Sequence, residues 1–232
     1  MKLNRLLTGT LATLAVFTFL FMGTAHADIL DDMDSSFFTG VVYDGGGGNT
    51  QTILKNTTIF TPEGQSFLGV PMDWAELKLI QLGGLDNGGD STTLLSEFTY
   101  AARLWESDDY FLSIKQIDEP VNRWGGGGLY SIQNIDKELP PFLIGVYLMD
   151  YGDLLYTLRG DWQFVYGYFL GCDLQYGMNA PDSLMWDGGS NKLIGDIHLK
   201  HNLEQTGSFY GEAGVMSFNG KFMVYGGIGG FF

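Results

Sequence analysis

The stretch Trp162–Tyr176, "WQFVYGYFLGCDLQY", limits the fold more than any other. Its even positions are Trp162, Phe164, Tyr166, Tyr168, Leu170, Cys172, Leu174 and Tyr176. Its odd positions are Gln163, Val165, Gly167, Phe169, Gly171, Asp173 and Gln175. One set is wholly apolar, and the other is mostly small or polar. Alternation of period two belongs to a strand, whose successive side chains point to opposite faces. Strands of globular proteins usually run about 3–10 residues. Read as one strand, this segment is longer than that. It fits a tilted strand crossing a bilayer, with Leu170 and Leu174 toward lipid and Gly171 and Asp173 toward a lumen. After Ala27 the sequence holds no amphipathic helix of useful length.

Other segments repeat the pattern. In "KLIGDIHLKHNLE" one face carries Leu193, Ile197, Leu199 and Leu203, and the other carries Ile194, Asp196, His198, Lys200 and Asn202. "SFYGEAGVMSF", "NG" and "KFMVYGGIGGFF" read as a hairpin, because Asn219-Gly220 is a strong two-residue turn signal. That turn sets Phe218 against Lys221, Val215 against Val224, Ala213 against Gly226 and Gly211 against Ile228. Farther back, strands are expected in "SSFFTGVVY", "TQTILKNTTIF", "AELKLIQL", "LLSEFTYAARLW", "YFLSIKQI", "GLYSIQ" and "PFLIGVYLMDYGDLLYTL". The expected fold is all-β: an antiparallel up-and-down transmembrane barrel of about ten strands, with eight or twelve as alternatives. Under a count of eight, residues 28–95 would be partly a plug or periplasmic extension. Turns are expected at Arg159–Asp161 and Leu203–Gly207. If the last strand runs toward the periplasm, these are short periplasmic turns, and Gly177–Asn191 is a long outer loop.

The N-terminus supplies the export route. Lys2 and Arg5 precede an apolar run from Leu6 to about Met22, followed by Ala25-His26-Ala27. This order reads as a signal peptide over residues 1–27, cleaved after Ala27, with the barrel domain spanning 28–232. The whole chain carries a net charge of −15, and the signal removes two basic residues but no acid. So few basic residues argue against a nucleic-acid partner. The lone cysteine, Cys172, rules out an intrachain disulfide. The 34 glycines are interleaved with aromatics, as crowded, curved sheets require.

The last twelve residues, "KFMVYGGIGGFF", alternate glycine with aromatic and aliphatic residues and finish on Phe232. Behind a signal peptide, such an ending resembles the C-terminal strand of bacterial outer-membrane β-barrels. The matching positions are Phe222, Val224, Ile228 and Phe232; Gly226 and Gly230 stand where bulkier residues are common in that signature. The resemblance implies location in the outer membrane, lipid as the surroundings, and recognition by the outer-membrane assembly machinery during biogenesis. It does not imply an oligomeric state.

The candidate polar site is Asp196, His198, Lys200 and Glu212. If Leu203–Gly207 closes a hairpin, Glu212 lies nearly opposite His198. A carboxylate beside an imidazole suits general-base chemistry. It equally suits a ladder of opposite charges filling a narrow lumen. No Ser or Cys nucleophile is fixed by the spacing, and no cofactor or metal is expected. Leu85–Ser91 and Tyr43–Thr50 read as turns, because neither has the spacing of a calcium loop. Three functional readings follow. The first is an outer-membrane barrel with a structural, surface or narrow-conduit role and no catalysis. The second is a soluble exported β-sandwich binding a ligand such as carbohydrate through Trp124 and Trp186. The third is a barrel hydrolase using Asp196, His198 and Glu212.

Overall fold

The computed structural model describes residues 33–44, 49–60, 66–67, 70–71, 73–84, 91–103, 109–119, 122–132, 142–150, 152–178, 193–203, 208–218 and 221–231. Met1–Met33 and Asp34–Phe232 form separate units, and the second holds the barrel. Residues 1–27, expected from the sequence to be a signal peptide, and Trp186, Asn219-Gly220 and Phe232 lie outside the described residues.

The strands are β1 (Met33–Asp44), β2 (Asn49–Phe60), β3 (Ser66–Phe67), β4 (Val70–Pro71), β5 (Trp74–Gly84), β6 (Ser91–Arg103) and β7 (Tyr110–Glu119). They continue with β8 (Arg123–Ile132), β9 (Phe142–Met149), β10 (Leu154–Val165), β11 (Tyr168–Met178), β12 (Leu193–Asn202), β13 (Phe209–Phe218) and β14 (Lys221–Phe231). Twelve close into an antiparallel barrel, in the order β1-β14-β13-β12-β11-β10-β9-β8-β7-β6-β5-β2. The short pair β3–β4 stands apart from that sheet. The barrel therefore takes the largest of the three strand counts compatible with the sequence. β1, β2 and β5, drawn from the region an eight-strand barrel would leave over, are part of the wall. Closure rules out the sandwich, because a barrel has no open edges.

Two readings of the sequence are corrected by the topology. Trp162–Tyr176 is not one strand: the chain reverses at Tyr166-Gly167, where Gly167 has φ +76°, a left-handed conformation that glycine adopts without strain. "PFLIGVYLMDYGDLLYTL" likewise divides into β9 and the start of β10. The physical reason is parity. A two-residue turn alone pairs an odd residue with an even one, as Val165 pairs with Tyr168. A bulge at Phe164 then shifts the register, so that Gln163 meets Phe169 and Trp162 meets Leu170. Even residues consequently stay outside on both strands, and the alternation runs through the turn without interruption. The four-residue connection between β9 and β10 has the same effect, pairing Leu148 with Leu154 and Val146 with Tyr156.

Arg159–Asp161 is not a turn either; it lies within β10. The expected loop asymmetry disappears with it. At the mouth where β14 ends, the connections hold two (β10–β11), six (β6–β7), six (β12–β13), nine (β8–β9) and thirteen residues (β2–β5). At the opposite mouth they hold two, three, four, four, six and fourteen. The last hairpin has the register that its turn dictates, including Phe218 with Lys221 and Val215 with Val224. β14 closes on β1, with Gly40 against Gly227 and Val41 against Gly226. A Cβ on Gly227 would fall 2.2 Å from the Thr39 carbonyl oxygen, so this seam needs glycine.

Candidate functional site

The barrel turns apolar side chains outward and many charges inward. Exposed aliphatics include Leu112, Ile114, Val146, Leu158, Ile197, Leu199, Val215, Val224 and Ile228. Aromatics gather at the two ends of this band. Near the mouth where β14 ends are Tyr110, Tyr130, Trp162, Phe164, Tyr168 and Phe209. Near the opposite mouth are Tyr43, Trp124, Tyr176 and Phe222. An aliphatic band between aromatic girdles is the surface of a barrel solvated by lipid. Phe222, Val224 and Ile228 of the last strand belong to it, as do Leu170 and Trp124, the latter 62% exposed.

Inside, Glu76, Lys78, Glu97, Lys115, Arg123, Asp153, Asp196, His198 and Glu212 are all buried. Charges this buried survive only when paired. Lys55 on β2 reaches Asp196 at 2.6 Å and Glu212 at 2.8 Å, and donates to the Tyr225 hydroxyl at 2.6 Å. Lys78 on β5 pairs with Asp173 on β11, across the interior. Arg159 on β10 pairs with Glu76 on β5, and Gln175 on β11 donates to Glu97 on β6. Glu97 also meets Lys115 at 3.0 Å. β5 and β11 stand on opposite sides of the ring, yet a lysine and an aspartate span the gap. The two walls therefore approach the separation of packed sheets, about 10 Å. At the opposite mouth, Arg123 grips Asp150 at 3.1 Å and also Asp153, fixing the connection between β9 and β10.

The structure turns Asp196, His198, Lys200 and Glu212 toward the interior, in one connected cluster. Its register differs from the sequence expectation. Gly214 lies opposite His198, and Glu212 lies opposite Lys200, at 4.0 Å between Nζ and Oε2. His198 instead places Nδ1 2.6 Å from Asp196 and Nε2 2.8 Å from Asp161. Both ring nitrogens are taken by carboxylates, which leaves no ring lone pair to accept a nucleophile's proton. Asp161 also accepts from Lys200 at 2.8 Å. Gly171 makes the Asp161–His198 contact available. It sits on β11 directly between them, and a Cβ there would fall 1.9 Å from Asp161 Oδ1 and 2.2 Å from His198 Nε2. Oxygen and nitrogen atoms of Asp196, His198 and Glu212 lie within 4.8 Å of one another, as metal ligands would. The Lys55 ammonium sits among them and supplies that positive charge.

Sequence reasoning missed Lys55, Lys78, Glu76, Glu97, Arg159 and Asp161. Arg159 and Asp161 fall in a stretch whose composition reads as a turn. The others carry no local motif, and Lys55, Lys78 and Glu76 find their partners several strands away around the ring.

Toward the mouth opposite the end of β14, the interior is apolar. Val42, Ile53, Ile80, Leu82, Leu95, Ile117, Ile194, Met216, Phe218 and Met223 are buried there and belong to one packed cluster. On the other side of the ionic layer lies a cavity of about 30 Å³, lined by residues that include Trp74, Glu76, Glu97, Lys115, Leu143, Arg159 and Gln175.

No protein-family model matches the chain, and no curated protein does. Solved structures similar to it include mutants of the Rhodopseudomonas blastica porin. One has a TM-score of 0.42 and 10% identity over 86% of this chain and 99% of that one. A low-pH structure of Pseudomonas putida OprB has a TM-score of 0.33 and 8% identity over 88% and 94%.

Proposed function

We propose that this chain is an outer-membrane β-barrel that is closed to bulk solutes in this conformation, with a structural or surface role rather than that of a diffusion pore. The observation that carries the reading is the double obstruction of the interior: an apolar layer near one mouth and charge pairs tying opposite walls behind it. A dry apolar constriction resists wetting, and ions cross it poorly. Large barrels hold open water when their walls stay apart. Here opposite walls are bridged by single pairs of side chains. The outward band between aromatic girdles supports residence in a membrane. The signal-like N-terminus and the C-terminal strand support export and handling by the outer-membrane assembly machinery.

Liposome swelling tests this. Vesicles holding the wild-type protein should stay unswollen in isosmotic disaccharide. A variant with Phe218→Ala and Met223→Ala should admit small solutes faster than wild type. Rapid swelling with the wild-type protein would refute the closed state. The hydrolase reading gains no support from the geometry, because His198 is held between two carboxylates.

A further inference from the structure

We propose that the cavity beside the ionic layer is a binding site for one small monovalent cation of the ammonium or potassium class. Two buried acceptors in its lining lack a donor. Glu76 Oε1 and Gln175 Oε1 meet no hydrogen-bond partner among the described residues, although both residues are 2% exposed. The orientation of Gln175 is fixed by its amide nitrogen, which donates to Glu97; the reverse orientation would set two acceptor oxygens face to face. The nearby basic groups are already engaged. Arg159 Nη1 donates to the other oxygen of Glu76, and Lys115 donates to Thr99 at 3.2 Å and pairs with Glu97.

An unmade hydrogen bond at a buried acceptor is costly, most of all for a charged oxygen. The natural occupant is therefore a donor or a cation. A volume of about 30 Å³ has room for a bare monovalent ion or for water. The spare oxygens favour the cation. Fixed charge around the cavity is balanced, with Glu76, Glu97 and Asp173 in the lining against Lys115, Arg159 and, pairing with Asp173 from outside the lining, Lys78; what remains unmet is the second carboxylate oxygen of Glu76 and the amide oxygen of Gln175. A divalent ion would compete directly with Arg159 for Glu76, whereas a monovalent ion needs only the spare oxygens. The chain's net charge of −15 also concentrates cations near the protein. The site belongs to the folded barrel, whether or not the barrel passes solute.

The test is thermal unfolding of the full-length folded barrel in detergent, read by the heat-dependent gel shift, at fixed ionic strength. Potassium, sodium or ammonium chloride is compared with tetramethylammonium chloride. At least one small cation should raise the midpoint saturably, and tetramethylammonium should not. Gln175→Leu should weaken the apparent affinity by about tenfold, and Glu76→Gln should abolish the response. Ser131→Ala, buried but not in the lining, should respond as wild type does. If Glu76→Gln does not fold, Gln175→Leu decides. Equal midpoints in all salts would mean that water fills the cavity, and an unchanged response in Gln175→Leu would place any cation elsewhere; either result overturns the proposal.

Discussion

Replacing Lys55 by methionine tests whether the interior behaves as a dry ionic core. The ammonium touches two carboxylates and a phenol, at 2.6 Å to Asp196, 2.8 Å to Glu212 and 2.6 Å to Tyr225. It also lies 3.9 Å from the centre of the Tyr225 ring. At an effective dielectric constant of about 20, each charge pair is worth roughly 6 kcal/mol before desolvation is counted. Burial of three charges cancels much of that. Removing the shared cation then leaves two acids uncompensated, a change that typically costs about 3–5 kcal/mol. Two features place Lys55→Met near the lower end, about 3 kcal/mol. The Lys55 side chain is 15% exposed, and the acids keep other partners, Asp196 through His198 and Glu212 through the Tyr225 hydroxyl at 2.7 Å. The exposed pair Arg103–Asp73 is the control, and Arg103→Met should cost less than about 1 kcal/mol. The assay is urea unfolding of the folded barrel in lipid vesicles, followed by tryptophan fluorescence. A cycle of Lys55→Met with Glu212→Gln should show a coupling of about 1 kcal/mol or more. A loss as small as that of Arg103→Met, with no coupling, would refute the reasoning. Water would then penetrate the interior and screen the pairs.

Four further substitutions probe the wall. Ile197→Arg, in the middle of β12 on the outer face, should destabilise by about 2–4 kcal/mol, and Leu203→Arg, past the end of that strand, by about 1 or less. The fraction folded after insertion into vesicles, read by gel shift, separates the two. Gly171→Ala should cost about 1–3 kcal/mol, because its methyl group would fall within the Asp161–His198 contact. The imidazole signals of His198 should move in nuclear magnetic resonance spectra. Gly195→Ala should cost a similar amount, about 1–3 kcal/mol, because Gly195 has φ +131° and its Cβ would meet the Asp173 carbonyl oxygen. The urea midpoint reports it.

The wall of the barrel was legible in the sequence wherever a turn changed the parity of the alternation. At Asn219-Gly220 the outward set switches from odd positions (Val215, Ala213) to even ones (Val224, Phe222), and the hairpin and its register could be read directly. Between β9 and β11 the outward set stays even through two reversals, from Ile144 to Tyr176. There the alternation held no sign of a turn. Only the local chemistry of Tyr166-Gly167 and Asp150–Asp153 could have revealed one. Arg159-Gly160-Asp161 offered a more familiar turn composition and drew the boundary to the wrong place. Glycine inside a strand can instead mark a close approach, and a Cβ on Gly160 would fall 2.5 Å from the Phe142 ring.

The interior was less legible, for a reason that follows from closure. Strand alternation says which side chains face inward, so Asp196, His198, Lys200 and Glu212 could be grouped from sequence. It does not say what they meet there. A neighbouring-strand ladder would have made Lys200–Glu212 the main pair, yet those charges are 4.0 Å apart. The closer partner of Glu212 is Lys55, separated by 157 positions in sequence and brought near because β1 closes on β14 and carries β2 with it. Lys78–Asp173 and Arg159–Glu76 instead meet across the interior, where the curled sheet brings β5 to face β11 and β10. Each contact exists only after the sheet has curled into a ring. The ionic layer therefore cannot guide the early pairing of strands. It is better suited to selecting the closed barrel over open or misregistered sheets, in which the same acids and bases would be separated within an apolar surround.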